Sequence, residues 1–505
     1  MREDWVDVRL GNISNIISGK DQKKVRNDEG KYPIYGSSGL FDYANEYLCE
    51  PGTTIIGRKG TINSPILVNE KFWNIDTAFG MSPLSIVDSK YFYYFCCGFN
   101  FKKLDKSTTI PSLAKRDIEK ITFKLSPLPE QRAIVAKIEQ LFSELDNGIA
   151  NLKTAQEQLK VYRQAVLKKA FEGDLTQEWR ESHIAAKHRV STDPKTNQPI
   201  QREKVKTPCM ASQPASQPAS QQTSQQVSQP LSTSLPTAED LLTQIKTERK
   251  NHYQQQLEDW KQGKISSKPK QPKELPPLTK EELEKLPELP DGWKWVKLSD
   301  VNEIKSNLVS PEVYKNMPHI APDNIQRETG KLLNYNTIEE DKVFSPKHYF
   351  YDGQIIYSKI RPYLNKLIIA KFEGLCSADM YPIESKMQIK FLFHLMLSKY
   401  FVDKSSNSGS RTILPKINQT ELGRIPLPFC SFEEQHQIVQ EIESRLLVCE
   451  KVEENIQDSL NKAEALRQSI LKKAFEGNLL SASELEACRQ EPDWEPAEKL
   501  LERIR

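Results

Sequence analysis

Two stretches of the chain carry the same spacing of apolar residues, one beginning at Ile134 and the other at Ile438. Apolar residues recur there in alternating steps of three and four, the heptad pattern of a helix that packs along one stripe. The first stripe runs through Ile134, Ile138, Leu141, Leu145, Leu152, Ala155, Leu159, Tyr162 and Val166, with Gly148 at one inward position. The second runs through Ile438, Ile442, Cys449, Val452, Ile456, Ala463, Leu466 and Ile470, with Arg445 and Ser459 as polar members. The pattern predicts two coiled-coil helices of about 40 residues, each roughly 60 Å long.

Both predicted helices carry terminal signals. Pro129 suits a first helical turn, and the SFEE run at 431–434 is typical of a capping box. The phrase LKKAFEG closes both stretches, at 167–173 and at 471–477, and its lysine pair and final glycine are typical of a helix C-terminus. Two interpretations of the phrase stay open: it only stops a helix, with its phenylalanine packing locally, or it ends two helices that pack antiparallel on one another.

The repeat extends well beyond this phrase. At a constant offset of 304, residues 111–175 match 415–479 without an insertion, including the Glu-Gln pairs at 130–131 and 434–435. The start of the chain also resembles a later segment, Trp5 to Leu10 against Trp295 to Leu298, but at an offset of 290. The chain therefore consists of two halves, each a variable part followed by a common part.

The stretch between the halves changes in composition. The run ASQPASQPASQQTSQQVSQP is of low complexity with almost no apolar residues, so we expect residues 176 to about 236 to be flexible. We predict six segments: a first variable domain at 1–126, a first helix at 127–173, a linker at 174–290 with a helix near 238–260, a second variable domain at 291–430, a second helix at 431–477 and a tail at 478–505.

Composition limits the class of protein only loosely. The 505 residues carry a formal net charge of +3, so any basic surface for a nucleic acid must be local. The eight cysteines form no CxxC pair and the seven histidines fall in no metal-ligand spacing, so we expect a reduced, cytoplasmic chain without a metal site. The longest apolar run, at 91–99, is too short for a membrane span.

The two variable parts differ in letters but share an order of features. Each has short β-branched and aromatic strands, then an aromatic helical stretch at 89–99 or 389–401, then a hydroxyl-rich turn, KSTTIPSL or SGSRTILP. With the LPEQ and FEEQ helix starts, the paired LKKAFEG endings, the segment ELPELPDGWKWVKLSD and the run IIGRKGTIN, the chain resembles the specificity subunit of type I restriction-modification systems.

That resemblance implies an α+β architecture, in which two mixed α/β target-recognition domains are separated by two long helices packed as an antiparallel coiled coil with pseudo-two-fold internal duplication. It implies that each domain reads one half of an asymmetric, bipartite site on double-stranded DNA. The helices would serve as spacer and as dock for two methyltransferase subunits, joined by restriction and translocase subunits. S-adenosylmethionine, ATP and Mg would be bound by those partners and no cofactor by this chain.

Candidate DNA contacts are basic or hydroxyl-bearing residues near glycines and aromatics. They are Lys20, Lys23, Lys24, Arg58, Lys59, Lys102, Lys103 and Lys106 in the first domain, and Lys359, Arg361, Lys366, Ser410 and Arg411 in the second. Arg58 and Arg361 follow matched strand-like runs and are the favoured base readers, because arginine can bind guanine bidentately. Most of the others would position the DNA through its phosphates. Thr108, Pro111, Thr412 and Pro415 share the offset of the helices and are expected to join domain to helix.

The helix-pairing and partner-docking residues are predicted from the stripes and the LKKAFEG phrases. They are Ile138, Leu145, Leu152, Leu159, Val166, Phe171, Ile442, Cys449, Ile456, Leu466, Ile470 and Phe475.

Catalysis is not expected of this chain. It has neither an NPPY-type tetrapeptide with a glycine-rich cofactor loop nor a GxxxxGK[ST] phosphate loop, and no acid pair followed by lysine stands out in a strand. Two alternatives remain: a two-headed coiled-coil adaptor that binds proteins instead of DNA, and a cryptic nuclease or methyltransferase.

Overall fold

The computed structural model describes residues 4–190, 237–272, 275–407 and 415–504. The chain divides into two compact units, which we call unit 1 (1–157 with 452–505) and unit 2 (158–451). Outside the described residues lie the Ser/Gln/Pro tract, the predicted DNA contacts Ser410 and Arg411, and Thr412, which was expected to join domain to helix.

Unit 1 contains the first variable domain, and its described residues form nine strands. Its strands are β1 (Val6–Arg9), β2 (Ser14–Ser18), β3 (Tyr32–Gly36), β4 (Gly39–Ala44), β5 (Thr53–Gly57), β6 (Ile66–Val68), β7 (Trp73–Asn74), β8 (Ala78–Pro83) and β9 (Thr122–Leu125). Its short helices are α1 (Leu10–Ile13), α2 (Ser89–Gly98), α3 (Lys115–Glu119), and, near the end of the chain, α13 (Ala482–Arg489) and α14 (Ala497–Glu502).

Unit 2 is built from the same kinds of element. Its strands are β10 (Lys294–Lys297), β11 (Asn302–Ile304), β12 (Leu308–Val309), β13 (Pro318–Ile320), β14 (Asn336–Thr337), β15 (Lys347–Phe350), β16 (Ile355–Ser358), β17 (Leu367–Ile369), β18 (Gly374–Cys376), β19 (Met380–Ser385) and β20 (Pro426–Phe429). Its helices are α5 (Gln177–Val190), α6 (Ala238–Lys261), α7 (Lys280–Leu283), α8 (Leu298–Val301), α9 (Ile389–Leu397), α10 (Lys399–Asn407) and α11 (Gln419–Gly423).

The two domains have matching sheets. A four-stranded sheet is ordered β2-β8-β5-β6 in unit 1 and β11-β19-β16-β17 in unit 2. Beside it, β7 lies parallel to β3, as β18 lies parallel to β13. A two-stranded ribbon, β1 with β9 or β10 with β20, leads into each long helix. The alternating β-branched and aromatic residues thus form equivalent sheets in both units from different sequences.

Two helices of 44 residues, α4 (Leu128–Phe171) and α12 (Phe432–Phe475), run through both units. In unit 1, Ile138 near the start of α4 shares a core with Ile470 near the end of α12. In unit 2, Val166 near the end of α4 shares a core with Ile442 near the start of α12. The start of each helix therefore lies beside the end of the other, and the predicted antiparallel packing is confirmed.

The contact between these helices is narrower than the heptad pattern predicts. The line through Ile442, Cys449, Ile456, Ala463 and Ile470 is buried throughout. On the second line Ile438 is buried, but Val452 and Leu466 are exposed, so Leu466 does not pack between the helices, and its other predicted role, in partner docking, stays a prediction. The neighbouring Arg467 takes that place: its guanidinium lies 4.5 Å from the ring centre of Phe142 and pairs with Asp146.

On the first helix the matching line is less enclosed at its middle. Ile138 and Val166 are buried, whereas Leu145, Leu152 and Leu159 are half-buried. Gly148, at the inward position of the second line, is exposed with no atom within 4 Å of where its Cβ would stand.

The repeated LKKAFEG phrase both stops the helices and anchors the domains. Gly173 and Gly477 have left-handed φ of 86° and 77°, as a glycine cap requires. Phe171 meets Phe391 of α9 edge-on at 5.3 Å, and Phe475 lies 5.1 Å and 5.4 Å from Tyr91 and Phe95 of α2. The end of each long helix therefore packs on the aromatic helix of the domain that belongs to the other half.

Two details of the sequence analysis need correction. Lys294 pairs with Phe429 as Val6 pairs with Leu125, so the two ribbons correspond at an offset of 288 and Trp5 matches Trp293 instead of Trp295. The first residues of the predicted flexible linker instead form α5, because Arg180 folds back onto Glu434 at 2.6 Å, a pair that is almost fully buried.

Candidate nucleic-acid interface

Strands β2, β5 and β8 bring their loops together at one edge of unit 1. The Gly19 amide donates to Ala78 O at 3.1 Å and the Arg58 amide to Thr77 O at 2.7 Å. The loop before α3 closes over this edge, since the Gly60 amide donates to Pro111 O at 2.9 Å. We call residues 58–60, 77 and 111–113 the first corner.

Unit 2 builds the same arrangement from other residues. The amides of Lys359 and Arg361 donate to Asp379 O at 3.0 Å and to Pro415 O at 2.8 Å. The amide of Ile417 then donates to Lys359 O at 3.0 Å, as Leu113 does to Arg58 O at 2.9 Å. We call residues 359–361, 379 and 415–417 the second corner.

This correspondence changes the pairing of the favoured base readers. Lys359 occupies the position of Arg58, because each continues a central strand and receives the amide of Ile417 or Leu113. Arg361 occupies the position of Gly60. The two arginines therefore lie on equivalent corners but not at equivalent positions. Pro111 and Pro415, expected to join domain to helix, are acceptors in both corners.

The basic residues of the first domain differ in how free they are. Arg58 is half-buried, with Nη1 3.5 Å from Asp76 O and its guanidinium 5.7 Å from the ring centre of Phe79. Lys59 is exposed on the corner, and Lys20 is exposed on the adjoining loop, where its amide donates to Asn74 O. Lys106 pairs with Asp117 at 2.9 Å. The other predicted contacts, all exposed, are Lys23, Lys24, Lys102 and Lys103.

In the second domain, two predicted lysines are already engaged. Lys359 Nζ donates to Ala378 O at 2.5 Å and lies 4.9 Å from the ring centre of Tyr381; burial, then the nearby Lys416, lowers its pKa. Lys366 Nζ donates to Pro322 O at 2.8 Å. Arg361 is exposed.

Sequence reasoning missed an ion pair on the second corner. Lys416 Nζ lies 2.7 Å from Asp379 Oδ1, and both side chains are about two-fifths exposed. The signal was present in the register, since Lys416 follows Pro415 as Ser112 follows Pro111. Among the tyrosines near these basic residues, Tyr357 is fully buried and Tyr35 meets Phe72 edge-on at 5.5 Å, but Tyr363 is 49% exposed.

The repeated Glu-Gln pair attaches each domain to its long helix. Gln131 Oε1 accepts from the amide of Asp88, the N-cap of α2, at 2.8 Å, and its Nε2 donates to Ile86 O and Ser126 O. Gln435 does the same for α9: Oε1 accepts from the Gln388 amide at 2.9 Å and Nε2 donates to Cys430 O.

The glutamates beside these glutamines hold the start of each domain. The indole N–H of Trp5 donates to Glu130 at 2.8 Å, and that of Trp293 donates to Glu434 at 2.9 Å. These contacts fix where each domain, and so each corner, stands on its helix.

Within the described ranges, no group of three His, Cys, Asp or Glu residues is placed to hold a metal ion. Across the same ranges, no helix combines the length and the apolarity needed to cross a membrane.

Comparisons with known proteins agree with this architecture. A family model described as the type I restriction modification DNA specificity domain matches residues 2–154 and again 290–462. The type I restriction enzyme EcoDI specificity subunit of Escherichia coli is 32% identical over 94% of this chain and 89% of its own length. The EcoBI specificity subunit of Escherichia coli is 21% identical over 95% and 87%.

Among solved structures, a chain from a study of complex assembly and conformational transition of the type I R-M system superposes with a TM-score of 0.59 at 14% identity. The match covers 95% of this chain and 99% of that one, and it supports the fold. The duplicated family match, together with the relative at 32% identity, shows that the chain belongs to the family of type I restriction-modification specificity subunits, the DNA-recognition subunits of these enzymes.

Proposed function

We propose that the chain reads an asymmetric, two-part site on double-stranded DNA, one half with the corner of unit 1 and the other with that of unit 2. The observation that carries the proposal is the corner itself. The same backbone hydrogen bonds recur in both units, while the side chains at equivalent positions differ. Arg58 of the first corner corresponds to Lys359 of the second, and Gly60 corresponds to Arg361.

Different side chains on one frame are what two different half-sites require. Arginine and lysine recognise guanine O6 and N7, and a carboxylate such as Asp379 can accept from cytosine N4. Lys20, Lys59 and Lys102 stand exposed around the first corner, and Lys103 is exposed next to Lys102 in the chain. These lysines would contact phosphates, which position the protein without reading sequence.

The chain acts in this proposal without catalysing a reaction. By analogy with the family, two methyltransferase subunits dock on the long helices, restriction and translocase subunits join them, and S-adenosylmethionine, ATP and Mg are bound by those partners. Exposed apolar residues on α4 and α12 give the helices surface for such contacts: Val161, Tyr162, Leu447, Val448, Val452 and Leu466. The complex would work in the cytoplasm, where its DNA is.

The test is DNA binding by the full chain co-purified with the methyltransferase encoded beside it. A pool of duplexes with a randomised stretch is bound, washed and sequenced over several rounds. The proposal predicts enrichment of a gapped motif with two unrelated halves, and an affinity that falls steeply with salt. Absence of any enriched motif, with the methyltransferase shown to be bound, would reject it.

A further inference from the structure

Arg361 adopts a backbone conformation that suits glycine. Its φ and ψ are 46° and 60°, in the left-handed region, and Gly60 at the equivalent position has a φ of 79°. A residue with a Cβ is strained there and glycine is not. The first domain places glycine at this point and the second domain places a long cation.

The surrounding segment holds Arg361 firmly in this conformation. Its amide donates to Pro415 O at 2.8 Å, its carbonyl accepts from the Leu364 amide at 2.8 Å, and the next residue, Pro362, is buried. Asn365 closes the same turn, again left-handed, with a φ of 43°. The direction in which the Arg361 side chain leaves the backbone is therefore fixed.

The side chain itself is not used by the fold. Arg361 is exposed, and its guanidinium makes no hydrogen bond or ion pair with the other residues that the structure describes. Lys359 and Lys416 on the same corner differ, since one donates to Ala378 O and the other pairs with Asp379. As far as the described residues go, the side-chain donors of Arg361 are therefore available to a ligand.

We infer that Arg361 reads the edge of one guanine in the half-site of unit 2, and that the first domain makes no side-chain contact at the matching point, where Gly60 lets the backbone approach instead. The inference rests on the proposed function and deepens it. The flat guanidinium fork matches guanine O6 and N7, and the strained, fixed backbone supplies the direction that such a two-bonded contact requires.

The decisive variant is Arg361→Gly, because glycine suits the backbone there and Gly60 already forms the same hydrogen bond in the first domain. The matched control is Lys342→Gly, which also removes an exposed cation from a left-handed residue, with a φ of 50°. Lys342 follows β14, and β14 pairs with the start of β13. The second corner adjoins the end of β18, a strand that runs parallel to β13. The control therefore lies at the opposite end of that sheet.

Both variants, a third variant Arg361→Lys and the unaltered chain are bound, each with its methyltransferase, to the same randomised duplex pool. We expect Arg361→Gly to lose about tenfold in preference at one G·C pair of one half, with the other half unchanged. Arg361→Lys should lose part of that preference, and Lys342→Gly none.

Three results would overturn the inference: an unchanged motif in Arg361→Gly, a loss spread over both halves, or the same loss in Lys342→Gly. Melting temperatures of the four complexes separate a folding defect from a reading defect. If the unaltered complex enriches no motif, the proposed function fails. If the unaltered complex enriches a motif and Arg361→Gly keeps the preference at every position, only this inference fails.

Discussion

Replacing Gln131 with leucine should loosen α2 from the long helix that carries it. Gln131 is fully buried, and its amide pairs with three backbone groups: the Asp88 N–H, the Ile86 carbonyl and the Ser126 carbonyl. Leucine fills a similar volume but pairs with none of them. A buried group left unpaired costs about 1 to 3 kcal/mol, so for three such groups we expect a loss of roughly 3 to 9 kcal/mol. Gln435→Leu, which unpairs two such groups, should cost roughly 2 to 6 kcal/mol.

Hydrogen exchange followed by mass spectrometry suits this test, because unfolding of a chain with two units need not be two-state. Gln131→Leu should deprotect peptides of α2 and leave α9 unchanged, and Gln435→Leu should do the reverse. Gln140→Leu is the control, since Gln140 is exposed on the same helix and its side chain donates to Glu144, one turn further along that helix. Equal protection in all three variants would refute the reasoning.

Three further predictions concern the helices and unit 2. Ile456→Ala should lower the free energy of unfolding by about 2 to 4 kcal/mol, because Ile456 is buried, and Leu466→Ala by less than about 0.5 kcal/mol, because Leu466 is half-exposed. Hydrogen exchange along α12 measures both losses, and equal losses would contradict the narrow contact between the helices. Arg180→Ala should cost about 3 kcal/mol and deprotect the start of α12, since it leaves a buried carboxylate without its cation; an unchanged exchange pattern there would count against it. Burial lowers the pKa of His394 to about 4, against an ordinary 6.5. The stability that neutral His394 contributes is therefore complete above about pH 6.5 and is lost as the pH falls towards 4, and the loss is at most roughly 3 kcal/mol. His394→Asn should flatten that dependence, as urea melts between pH 4 and 7 would reveal, and an unchanged dependence in this variant would contradict the role of His394.

The repeated part of the fold was accessible from sequence because it is local. The two long helices follow from heptad spacing and from the glycines at 173 and 477, whose left-handed backbone the structure confirms. Which heptad line would be buried was not accessible, since Leu466 and Ile456 look alike in sequence and only the partner helix decides between them.

The candidate interface was harder to predict because it is formed by residues distant in sequence. Nothing local indicates that Gly60 will meet Pro111, or that Asp379 will pair with Lys416. The equivalence of Gly60 and Arg361 also needed the hydrogen bonds, because an insertion-free register exists only after residue 111. Which of the candidate basic residues contact DNA therefore stays a prediction.

Each unit should read its own half-site with its own variable domain, so moving a domain from one unit to the other should move the half-site with it. One chimera tests this. Residues 298–425 would replace 10–121, since in both units the first of these residues donates its amide to the carbonyl of the last, at 2.9 Å and 3.0 Å. The chimera and the unaltered chain, each with its methyltransferase, would be bound to randomised duplex DNA. The account predicts two unrelated halves from the unaltered chain and the half-site of unit 2 occurring twice from the chimera. A chimera that still enriches the original first half would contradict it.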